Sequence, residues 1–149
     1  MRIGWMVLLA LSLVGCSSDP SSDPEAERDR KFEEMMSNAS LVGQSTSFDE
    51  EGITGAEEYV IEKVSRIAGD RWLFQTTMKL GYREVPVPIP ITILWAGETP
   101  VITLTDLAIP GVGTYSARVL LFRDHYSGTW MGEDGGGHVF GKIVRHEND

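Results

Sequence analysis

The sequence predicts an all-β protein: a small antiparallel β-barrel of about eight strands preceded by a short helix. Three observations lead there. From Ser40 onward, apolar and polar residues alternate with period two in run after run. Turn clusters rich in Gly, Asp and Pro separate those runs at short intervals. Ahead of them, residues 24–37 carry apolar positions at helical spacing instead. Seven or eight short strands in succession suit an antiparallel sandwich or barrel.

The chain begins with Arg2 and an apolar run from Ile3 to Val14. That run is too short to cross a hydrocarbon core of ~30 Å, which takes about 20 helical residues. One basic residue, a short apolar run and a small residue at its end form the layout of a signal peptide over residues 1–15. The run ends in Leu13-Val14-Gly15-Cys16, which holds the only cysteine of the chain. These four residues resemble the lipobox of bacterial lipoproteins. The resemblance implies cleavage before Cys16 and attachment of fatty acyl chains such as palmitate to its sulfur and new amino group. The partner so implied is a membrane, reached through an N-terminal lipid anchor. Ser17 stands where an aspartate would resemble an inner-membrane retention signal. In a diderm bacterium the resemblance thus points to the outer membrane, facing the periplasm. An ordinary secretory signal with a chance cysteine is the alternative.

Thirteen Lys and Arg stand against 22 Asp and Glu, a net charge of −9 that becomes more negative once Arg2 is removed. Such a surface repels phosphate backbones, so nucleic acid is not an expected partner. With Cys16 acylated no disulfide is available, and packing alone must hold the single domain.

Residues 16–23 read as a flexible, lipidated tether, polar and punctuated by Pro20. The seven residues from Ser17 to Asp23 reach at most about 25 Å. Asp23-Pro24 then reads as an N-cap with proline at the first helical position, and Glu25 and Glu27 suit the first turn. Phe32, Met35 and Met36 form a narrow apolar stripe. The stripe either packs on the outside or end of the barrel or serves as a movable lid.

The barrel occupies residues 40–149. Trp72, Phe74, Thr76, Met78 and Leu80 alternate with Arg71, Leu73, Gln75, Thr77 and Lys79, and Tyr115, Ala117, Val119 and Leu121 with Ser116, Arg118, Leu120 and Phe122. Tyr126, Gly128 and Trp130 share one face, and Val139, Gly141 and Ile143 another. Residues 57–68 are ambiguous. Thr54 to Glu57 fits a capping box and Val60, Ile61, Val64 and Ile67 a helix, yet the residues are β-formers leading into the strand at Arg71. We read the segment as the first arm of a hairpin, with a short helix as the alternative.

Val85 to Trp95 is the most unusual stretch. Its Val and Ile residues share one parity, while Pro86, Pro88 and Pro90 share the other. The prolines delete N–H donors toward one neighbour only, so this strand is expected to be an edge or the seam of an incompletely closed barrel. Edge protection explains the prolines structurally; admission of a ligand or partner strand is the functional reading.

Tyr126-Ser127-Gly128-Thr129-Trp130, a glycine turn, and His138 to Ile143 resemble the closing hairpin of calycin barrels such as lipocalins and avidins. By that resemblance the barrel is calycin-like and its mouth takes a small, largely apolar ligand. The stretch from Trp95 to Gly113 also resembles that of an uncharacterised bacterial lipoprotein family, which implies no activity.

No nucleophile elbow is present, and His125, His138 and His146 lack metal-ligand spacing. Glu133-Asp134 before three glycines lacks the EF-hand pattern and reads as a solvated turn. No catalytic, metal or cofactor site is expected, and the protein is read as a non-enzyme. A paired-carboxylate site would require Glu98 and Asp106 to meet. Trp72, Trp95 and Trp130 are assigned inward on three strands, as neighbours either in a packed core or in the wall of a ligand cavity. Arg118 is assigned outward. The expected function is binding of a small apolar or amphiphilic ligand. The alternative is a structural or assembly role in the envelope through protein contacts at the proline-rich strand.

Overall fold

The computed structural model describes residues 23–80 and 83–146. The signal segment, Cys16 and the tether as far as residue 22 lie outside the described residues. The order is α1 (Pro24–Met36), β1 (Ala39–Thr46), β2 (Ile53–Ala68), β3 (Arg71–Leu80), β4 (Arg83–Ala96), β5 (Thr99–Ile109), β6 (Gly113–Phe122), β7 (His125–Gly132) and β8 (Gly135–Arg145). Each strand pairs antiparallel with the next, and β1 pairs with β8 to close an eight-stranded barrel. The all-β class and the leading helix are as the sequence predicts.

The local chemistry of α1 follows its sequence. The Asp23 carboxylate accepts from the Glu25 N–H at 3.0 Å, and Pro24 opens the helix. The apolar stripe packs on one end of the barrel: Phe32 and Met36 are buried, and Phe32 stands edge-on to Trp72 at 4.8 Å and to Trp95 at 5.6 Å. Polar bonds fasten the same helix to β2. Arg66 pairs with Asp29 and, at 2.7 Å, with Glu25, while its backbone N–H donates to Glu33 at 3.0 Å. The helix thus plugs this end of the barrel.

Residues 57–68 are strand. β2 shifts register between Ile61 and Lys63 and again between Arg66 and Ala68. The first shift puts Ile61 and Val64, three apart, on the inner face, and both are buried. Below the plug the core continues through Leu41, Phe74, Ile91, Ile93, Leu121 and Ile143. α1, the eight strands and the buried core cluster all lie between residues 23 and 146, so residues 17–149 retain every described element.

β4 corrects the expectation of an edge or an unclosed barrel: it is an inner strand of the closed barrel, and only the weak pairing expected on the proline side is found, as a short seam with β5. It pairs with β3 from Arg83 to Thr92, but with β5 only from Thr92 to Ala96. The Ile93 N–H donates to the Asp70 carbonyl at 2.8 Å, on the β3 side. Odd-numbered amides of β4 therefore face β3, and the nitrogens of Pro86, Pro88 and Pro90 face β5. Where the prolines stand, no ladder to β5 forms.

Candidate functional site

Positions paired across the strands share a face, so register identifies the lumen. Ser45, Gly43 and Leu41 of β1 lie opposite Gly55, Glu57 and Tyr59 of β2. On the other side, Gly43 lies opposite Gly141 of β8, which in turn faces Tyr126 of β7. Ser45 and Leu41 are buried core residues, so Glu57 and Tyr59 point inward with them.

These residues form a polar layer. The Ser45 hydroxyl donates to one oxygen of Glu57 and the Tyr59 hydroxyl to the other, both at 2.7 Å. The carboxylate is thereby fixed in orientation. Tyr126 reaches toward it across two glycines: a Cβ at Gly43 would collide with the Tyr126 hydroxyl and one at Gly141 with its ring. The same added carbons would strike the carbonyls of Phe140 and Val42, so these glycines also permit close approach of β1 and β8.

Tyr126 is only 3% exposed, yet its hydroxyl has no hydrogen-bond partner among the described residues. Burial, and then the negative charge of Glu57, push its phenol up to about 12. Burial also raises the Tyr59 phenol, helped by its bond to Glu57.

Away from α1 the inward-facing residues are less completely buried. Tyr59 is 41% exposed although it faces inward, and Glu57, Tyr115, Ala117 and Trp130 are only partly buried. The Trp130 indole N–H is buried without a partner. One end of the barrel is packed shut by α1, and solvent reaches the inner faces of the other.

The three predicted tryptophans do not share one wall. Trp72 is 1% exposed and lies in the plugged core, beside Phe32. Trp95 is half-buried, with the Arg28 guanidinium 4.1 Å above its ring. It lines a recess of about 240 Å³ between α1 and the turns, together with Phe32, Met35, Glu98 and Arg123. Trp130 sits in the less buried half, four residues and about 13 Å along β7 from Tyr126.

Glu98 and Asp106 stay apart. Glu98 occupies the turn before β5, while Asp106 lies in a bulge toward its other end, where its carboxylate accepts from the Ser116 hydroxyl at 3.0 Å. Arg118 points outward and donates to the Thr105 hydroxyl at 3.0 Å. A second concavity lies outside the barrel, lined by Leu120, Phe122, His125, Phe140 and Lys142.

Sequence reasoning missed Glu57, Ser45, Tyr59 and Tyr126 as a group. The available signal was the pair Gly43 and Gly141, flanked by inward parity, which opens a floor for a large side chain from a neighbouring strand. Searches of family models, curated proteins and solved structures found no match for this chain.

Proposed function

We propose that the chain is a membrane-anchored, extracytoplasmic lipoprotein whose non-enzymatic barrel binds a small apolar or amphiphilic ligand. Support for the anchor comes from Leu13-Val14-Gly15-Cys16 and the polar tether after it. Two acyl chains hold a protein at a bilayer without a spanning segment. Among the described residues no helix is long and apolar enough to cross a membrane. If the host is diderm, the outer membrane facing the periplasm is the proposed location.

The observation that carries the binding role is the asymmetry of the lumen. Inward-facing Tyr59, Glu57 and Trp130 remain accessible at one end, whereas the other is plugged by Phe32 and Met36. Small-molecule sites in barrels are built at an open end with aromatic walls and few polar groups, and these accessible inward residues are of that kind. Native mass spectrometry of residues 17–149, purified under mild conditions, tests this. A co-purifying lipid-sized mass that is lost on delipidation is the expected result. A bare monomer mass, unchanged after incubation with extracted lipids, contradicts it.

A second reading has its own observation. The β4–β5 seam leaves Pro86, Pro88 and Pro90 exposed and unpaired toward β5, and Leu120, Phe122 and Phe140 are exposed on the outer face. Under that reading the protein acts through contacts with an envelope protein. Cross-linking from the seam in intact cells favours it if a specific protein is captured and no ligand mass is found.

A further inference from the structure

We infer that the polar layer of the lumen receives the cationic head group of an amphiphile, such as an alkylammonium, and rejects anionic ones. The inference rests on the reading that the barrel binds a ligand, and it names the class. Glu57 faces the lumen, and among the described residues no Lys, Arg or His forms an ion pair with it. A carboxylate on the inner face of a barrel with no opposite charge built in beside it attracts a cationic group. Ser45 and Tyr59 each donate one hydrogen bond to it, which orients the group but leaves its charge in place.

Tyr126 supplies the second, independent observation. Its hydroxyl is buried, unpartnered and directed across Gly43 and Gly141 toward Glu57. Nearly all buried hydroxyls find a partner, so an orphan beside a charge calls for an explanation, and the one we infer is a ligand group that completes the network. Burial raises the phenol, so at neutral pH it adds no second negative charge and its oxygen has lone pairs to offer. A group that carries positive charge and, where it has them, N–H donors matches both oxygens.

The surroundings agree. Tyr59, Tyr115, Tyr126 and Trp130 face the same lumen, and ring faces attract ammonium groups. Leu104, Ala117 and Val139 are inward and offer an apolar wall for a chain. An anionic head group of the same size meets the Glu57 charge with nothing to offset it.

The test is calorimetric titration of residues 17–149 with dodecyltrimethylammonium, dodecanol and dodecyl sulfate, the two ionic amphiphiles below their micelle concentrations and the alcohol below its solubility limit. The expected order is ammonium tightest, exceeding the alcohol by about tenfold or more, with the sulfate weakest. In Glu57→Gln the ammonium preference over the alcohol is expected to vanish. Ammonium and alcohol binding equally to the unmodified protein overturns the head-group inference and leaves the ligand reading intact, as does sulfate binding as tightly as ammonium. Binding of none of the three overturns both. The comparison of probes on the unmodified protein decides even if the variant fails to fold, which far-UV circular dichroism reports.

Discussion

At the residue scale, the polar layer depends on what is missing at Gly43 and Gly141. Their absent side chains let the ring of Tyr126 lie between β1, β7 and β8 with its hydroxyl toward Glu57. Gly43→Ala forces a methyl against that hydroxyl and the Phe140 carbonyl, and backbone does not yield as a side chain does. We expect a loss of about 1–3 kcal/mol in denaturant unfolding. Tyr126→Phe is the informative contrast. It removes a hydroxyl with no partner, so stability at neutral pH is expected to stay within about 0.5 kcal/mol or to rise. The pH dependence has a definite sign. The phenol of Tyr126 titrates near 12 in the folded chain, above the ordinary value of 10. Its contribution is therefore complete below pH 10 and is lost as pH rises from there through 12. Unfolding measured below pH 10 and again near pH 12 should show that loss, diminished in Tyr126→Phe.

At the scale of elements, α1 and β4 give opposite lessons in legibility. The Asp23-Pro24 cap and the Phe32, Met35, Met36 stripe were readable because helix ends and faces are local in sequence. What lies beneath Phe32 was not, since Trp72 and Trp95 come from strands far along the chain. Phe32→Ala removes the centre of that plug, and a loss of about 3–5 kcal/mol is expected in chemical denaturation. In β4, the parity of three prolines identified the unpaired side, because an absent N–H is a local fact. Whether that side was a free edge or a seam depended on β1 meeting β8, which no local pattern encodes. Replacing Pro86, Pro88 and Pro90 with threonine restores donors toward the seam. Increased self-association in light scattering is expected, since proline there blocks pairing with another chain.

At the scale of the whole molecule, alternation predicted the barrel well because most strands bury one face. It failed to identify the candidate site for two physical reasons. A register shift places Ile61 and Val64 together inside, which imitates helical spacing and obscured the face on which Glu57 lies. A glutamate in a strand also reads as solvated, and its neighbour Tyr126 is 69 positions away, joined only through closure of the barrel. The central claim is that a ligand enters by the end opposite α1. Single-tryptophan variants of residues 17–149, retaining Trp72, Trp95 or Trp130, test it by fluorescence quenching with a bromine-labelled alkylammonium. The account predicts strong quenching of Trp130 and little of Trp72 or Trp95. Quenching confined to Trp95 would place the ligand in the recess beside α1, and an unquenched Trp130 would contradict entry through the open end.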